Sequence, residues 1–117
     1  MIIRDIDKAA LEASEEVTIL SAGAEGFEVE TPRYRALTHL LQNWAVEGGT
    51  FVEIAGNDDI LFTVLTQEPS KDGAIFSRLR QGIGDSRHLV MTKVINLAES
   101  LRAMRVSGWQ LEHIHDF

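Results

Sequence analysis

A chain of 117 residues, 44% hydrophobic and 25% charged, has the size and make-up of one globular domain with a packed core, and is unlike a disordered segment. Its net charge of −7, from 18 acidic and 11 basic residues, repels a phosphate backbone, so no nucleic-acid partner is expected. The absence of cysteine excludes disulfides, thiolate nucleophiles, zinc ribbons and iron–sulfur clusters, and no apolar run has the length of a membrane span.

From Asp5 to about Glu15, Ile6, Ala9, Ala10 and Ala13 recur at helical spacing and predict a helix, with a short edge strand over Met1 to Ile6 as the competing reading. Val17 to Leu20 and Phe27 to Glu30 read as short strands joined by small residues. Thr31 as a cap and Pro32 at the first helical position begin a helix whose stripe is Tyr34, Leu37, Leu41 and Trp44, and Gly48-Gly49 ends it. Thr50 to Ala55 and Asp59 to Gln67 read as strands around Gly56-Asn57-Asp58, a hairpin signal. The second of them is apolar on both faces and is expected to be central, covered on both sides or near an interface.

Glu68 to Gln81 is irregular, with Ala74 to Leu79 as a short strand candidate. After Gly82 and Gly84, Asp85 or Ser86 is expected to cap a long helix with the stripe Val90, Val94, Leu97, Leu101 and Met104, which Gly108 stops. Trp109 to Phe117 reads as the closing strand, with Trp109, Leu111, His113 and His115 on one face.

Two stretches share one plan of helix, glycine stop and strand. Setting Gly48 on Gly108, 60 residues on, also sets Leu37 on Leu97, Leu41 on Leu101, Trp44 on Met104, Phe51 on Leu111 and Ile54 on Ile114. From Phe27 onward the order is strand, helix, strand, strand, helix, strand, which implies a ferredoxin-like split βαβ sandwich. The expected fold is a single α+β domain over residues 1–117. Residues 1–25 would supply an N-terminal helix and strand extension. Residues 26–117 would form the βαββαβ core, one antiparallel sheet with two main helices on one face. Its strand order would be last, first, third, second.

Two places suggest chemistry. In the run Arg78 to His88, the residues Arg78, Arg80, Ser86, Arg87 and His88 lie beside glycines at the start of the expected helix, a setting that holds a small anion through backbone N–H groups and arginine forks. Asp85 would compete for the same donors as a cap. His113 and His115, two apart on a strand, project to one face and suit a shared metal ion, with Glu28 or Glu30 of the expected neighbouring strand as a third ligand. No hydrolase elbow, P-loop, dinucleotide fingerprint or metalloprotease helix occurs.

The expected protein is therefore a small cytoplasmic binding module without catalytic activity, needing no cofactor and making no membrane contact. It would engage a protein partner or a small anionic ligand, as a homodimer. One alternative is an enzyme for a small anionic substrate, with Arg80 and Arg87 as clamps and His88 or His113 as acid or base. Another is an acidic inhibitor or immunity-type protein that masks a basic partner.

Overall fold

In the computed structural model, which describes residues 1–33, 35–69 and 73–115, the chain is α+β with two antiparallel four-stranded sheets. The first half runs β1 (Ile2–Arg4), α1 (Lys8–Glu12), β2 (Thr18–Gly23), β3 (Gly26–Glu30), α2 (Arg35–Val46) and β4 (Thr50–Glu53), with sheet order β2-β3-β1-β4. The second half runs β5 (Asp59–Thr66), β6 (Ala74–Leu79), β7 (Ser86–Lys93), α3 (Val94–Ser107) and β8 (Gln110–His115), with sheet order β6-β7-β5-β8. Apart from α1, inserted between β1 and β2, the halves have one wiring: three strands, a helix, a strand, with the first strand between the third and the fourth.

The likeness extends to register. Ile3 pairs with Phe27 and Phe51 in the first sheet, and Val64 pairs with His88 and Leu111 in the second. Val52 is the extra residue of a bulge opposite Ile2 and Ile3, and Glu112, 60 residues on, is the extra residue opposite Thr63 and Val64. A second bulge falls at Leu20 in β2 and at Ile75 in β6. The register makes Gly26 the counterpart of Arg87, Phe27 of His88 and Val52 of Glu112. Gly26 has φ +125°, and a Cβ there would run into the backbone carbonyl of Ile3 and the side chain of Arg4.

This arrangement replaces the expected single ferredoxin-like sheet. The turn at Gly56-Asn57-Asp58 closes one bridge, Ile54 to Asn57, and β4 and β5 then part into different sheets. Helix α3 lies along β4, and Val94 N–H donates to the Asp58 carbonyl at 2.7 Å, so the flank on which a hairpin partner would pair is already covered. The helix expected from Asp85 begins only at Val94. Before it, buried Ser86, His88 and Val90 alternate with the less buried Arg87, Leu89 and Met91, which is the period of a strand held between β5 and β6. At the amino end β1 is a strand, as the competing reading had it, but a central one, and α1 is short. Helix α2 begins at Arg35, past Thr31 and Pro32; Tyr34, Asp116 and Phe117 lie outside the described residues.

Both halves feed one core. Ile3, Leu37, Leu41 and Phe51 from the first pack with Phe62, Val64, Leu97 and Ile114 from the second, all almost fully buried. The two helices pack on each other, and each reaches the sheet of the other half, α3 against β4 and α2 against β8. The Thr38 hydroxyl of α2 accepts the Ile114 N–H at 3.2 Å, satisfying a backbone donor on the β8 flank. These flanks are covered, whereas β2 and β6 are the outer strands at the opposite flanks, and β6 exposes Ile75, Phe76 and Leu79.

Candidate functional site

Strands β6 and β7 form a hairpin whose turn, residues 80–85, is closed by its own ends. Arg80 N–H donates to the Asp85 carbonyl at 2.9 Å, and the Arg80 guanidinium grips the Asp85 carboxylate in a two-point fork at 2.5 and 2.6 Å. Gly82 and Gly84, at φ +79° and +87°, make the reversal that this closure needs. Beyond the turn, Arg87 reaches across β5 to Glu112 on β8 with a second fork, at 2.6 and 2.5 Å. That reach depends on the bulge, which turns Glu112 out of the alternation that buries Leu111 and Ile114.

Arg78 and Arg87 sit directly opposite each other in the β6–β7 ladder. Like charges in that position repel. Glu112 answers Arg87, and Asp85 answers Arg80, but Arg78 is exposed and has no ion pair among the described residues. Arg78, Arg80 and Arg87, with Gln81 and Ile83, line an open pocket of about 470 Å³. The forks set the electrostatics there. The Arg80 hydrogen bonds hold Asp85 below the ordinary carboxylate range, and those of Arg87 hold Glu112 below it, with a further hydrogen bond from Thr63. Both arginines are raised by the same contacts. Three guanidinium groups thus line the pocket, two of them held by carboxylates that do not themselves line it.

Of the five residues expected to hold an anion, the structure brings Arg78, Arg80 and Arg87 together and sends Ser86 and His88 to the buried side of the sheet. No helix starts there, so the donors of a helix N-terminus play no part in this loop. His88 is fully buried and bridges Ser77, 2.7 Å from Nδ1, and Thr66, 2.8 Å from Nε2. Because the Thr66 hydroxyl donates to the Glu68 carbonyl at 3.2 Å, its oxygen accepts from Nε2–H, which in the neutral imidazole leaves Nδ1 to accept from Ser77. The ring is locked by the fold and is closed to solvent.

His113 and His115 do share a face, with ring centroids 4.6 Å apart at 79°. Leu61 and Thr63 are their partners on β5. Glu28 and Glu30, the expected third ligands, are in the other sheet, and no group of three metal-ligating side chains occurs among the described residues. The bulge also reverses the expected face of Leu111, which joins Ile114 in the core while the histidines face outward.

Sequence reasoning missed Asp85 and Glu112 as fork partners and Thr66 and Ser77 as supports of His88. A signal for Glu112 was present: Leu111 and Ile114 are core residues three apart in one strand, a spacing that a bulge reconciles with alternation, and Phe51 and Ile54, the latter just past β4, repeat it. Comparison with known proteins finds no matching family model, no matching curated protein and no matching solved structure. Among the described residues no helix is long and apolar enough to cross a membrane.

Proposed function

We propose that the protein is a non-catalytic binding module whose second sheet receives an anionic group, of a small ligand or of a protein partner, between Arg78, Arg80 and Arg87. The observation that carries this reading is the facing pair Arg78 and Arg87 in a pocket lined by three guanidinium groups, of which Arg80 and Arg87 have carboxylate partners and Arg78 has none among the described residues. A bound carboxylate or phosphate relieves their repulsion and takes the donors that the two forks leave unused. Arg80 and Arg87 are already oriented by their carboxylates, which lowers the ordering cost of binding. Burial of His88 weighs against the enzyme alternative, since a general base must reach the proton that it moves.

Calorimetric titration with inorganic phosphate and with succinate tests the reading. Saturable binding of at least one anion is expected, weakening with added salt, and Arg78→Ala should reduce its affinity about tenfold, the value of one charge-assisted hydrogen bond. Binding of neither anion, or full affinity in Arg78→Ala, overturns it.

Self-association belongs to the same proposal and is favoured by a specific observation: the outer strand β6 exposes Ile75 at 58%, Phe76 at 53% and Leu79 at 64%. Antiparallel pairing of two β6 strands would cover that edge. Light scattering should give a dimer that Phe76→Lys converts to monomer; a monomeric parent protein removes this part of the proposal and leaves the anion pocket standing.

A further inference from the structure

The repeat also shows where the two halves are not filled alike. At the end of α2, Arg102 reaches over from α3 and donates to the Ala45 carbonyl at 2.9 Å and the Gly49 carbonyl at 3.4 Å. The Ala45 oxygen belongs to a helix C-terminus, which carries partial negative charge and welcomes a cation, and the Gly49 oxygen follows just past the helix stop. The same helix stop recurs 60 residues on. Gly49 N–H donates to the Trp44 carbonyl and Trp109 N–H to the Met104 carbonyl, at 2.9 and 3.0 Å, after glycines at φ +93° and +76°. The counterpart of Ala45 is Arg105, and the counterpart of Gly49 is Trp109.

The residue that stands to α3 as Arg102 stands to α2 is Gln42, whose side chain is shorter and carries no charge. In the space so left is a cavity of about 380 Å³, within the range of small-molecule sites. Its walls include the apolar Leu101, Met104 and Leu111, Trp109 stands at its side, and Gln42 and Arg105 also line it. The molecule therefore contains, in its other half, an example of what such a corner accepts: a guanidinium on an alkyl stem.

We propose that the α3 corner is a binding site for a guanidinium group on an alkyl stem, as in a small guanidine or an arginine side chain of a partner, seated where Arg102 sits in the other half. The stem lies along Leu101 and Met104, the planar head faces the helix end, and the Trp109 indole offers a π surface. Arg105 opposes the cation, but it is exposed, and Arg102 is accepted one helical turn away from the same residue. This site is separate from the arginine pocket on the outer face of the second sheet and takes the opposite charge.

The test follows the Trp109 indole N–H by NMR during titration with butylguanidinium, and with butylammonium and butyrate as comparators. Butylguanidinium should bind at one site, at least tenfold tighter than butyrate. Gln42→Arg, which supplies the missing side chain within the chain itself, should abolish this binding and raise Tm. Arg102→Gln should open the matching corner and show a second saturable site at the Trp44 end. Arg105→Glu should strengthen binding several-fold. Tighter binding of a capped Gly-Arg-Gly peptide than of butylguanidinium assigns the site to a protein partner, and the reverse order assigns it to a free small molecule. No saturable shift, equal binding of butyrate, or unchanged binding in Gln42→Arg overturns the proposal, and the last variant remains decisive where Arg102→Gln does not fold.

Discussion

The two halves of the chain have the same strand pairing and the same bulges, and they differ in what they mount on it. Up to Asp58 the sequence has eleven acidic and four basic residues; from Asp59 onward it has seven of each, so the whole net charge of −7 belongs to the first half. The outward face of β3 exposes Glu28 and Glu30, while the equivalent sheet in the second half gathers Arg78, Arg80 and Arg87. At the arginine pocket and its fork the equivalent positions are Gly23 against Arg78, Gly26 against Arg87 and Val52 against Glu112, and on the buried side Phe27 stands against His88. Most inward positions keep their apolar character in both halves because the core is shared, with Phe27 against His88 as an exception, while outward positions and bulge residues are free to diverge. A candidate site in such a molecule is found by subtracting one half from the other.

The comparison breaks first at the core. Leu41 and Leu101 are equivalent and buried on facing helices, so Leu41→Ala and Leu101→Ala should each cost about 2–5 kcal/mol, within about 1 kcal/mol of each other, by urea denaturation. Widely different values would show that the halves do not share their packing load. His88→Phe, which gives the second half the first half's residue, takes the ring partner from the Ser77 hydroxyl, while Thr66 keeps its hydrogen bonds to Glu68, and should cost about 1–3 kcal/mol. A neutral result there would mean that the histidine is a passive filler.

The smallest effect sharpens the electrostatic difference. Glu112→Gln removes one partner of a half-exposed pair and should cost about 1 kcal/mol at pH 7, a value already reduced for solvent screening. Its pH dependence is more telling. Glu112 titrates lower in the folded protein than its ordinary value of 4.5, so the unfolded chain takes up the proton first. The stabilisation is therefore complete above the ordinary value and disappears as pH falls through the depressed one. Between pH 5 and pH 3 the parent protein should lose more stability than Glu112→Gln, and parallel losses would contradict the fork.

Much of the repeat was legible in the sequence from Leu37 to Ile54 and from Leu97 to Ile114, because glycine stops and core spacing are local signals. Its extension to the preceding three strands was hidden, since Phe27 and His88, or Gly26 and Arg87, have no resemblance as residues and are equivalent only through pairing. The strand at Ser86 to Lys93 has the local signature of a helix because Val90 falls four residues before Val94, a helical interval that in fact straddles a strand and a helix. For the candidate site, the arginines were visible as a cluster, whereas their carboxylates were not. Asp85 had a ready role as a cap, and Glu112 is brought to Arg87 only by a bulge and a sheet order that local periodicity does not encode.

The close approach at Gly26 makes exchange between the halves one-directional. Writing the first half's residue into the second, Arg87→Gly, removes a side chain and asks nothing of the neighbouring backbone. The reverse graft, Gly26→Arg, must force the β1 carbonyl at Ile3 aside and hold a residue with a Cβ at φ +125° before any guanidinium can be presented. A bivalent form of the protein, with an arginine pocket at both ends, is thus out of reach of point substitution and would have to begin by rebuilding the β2–β3 turn.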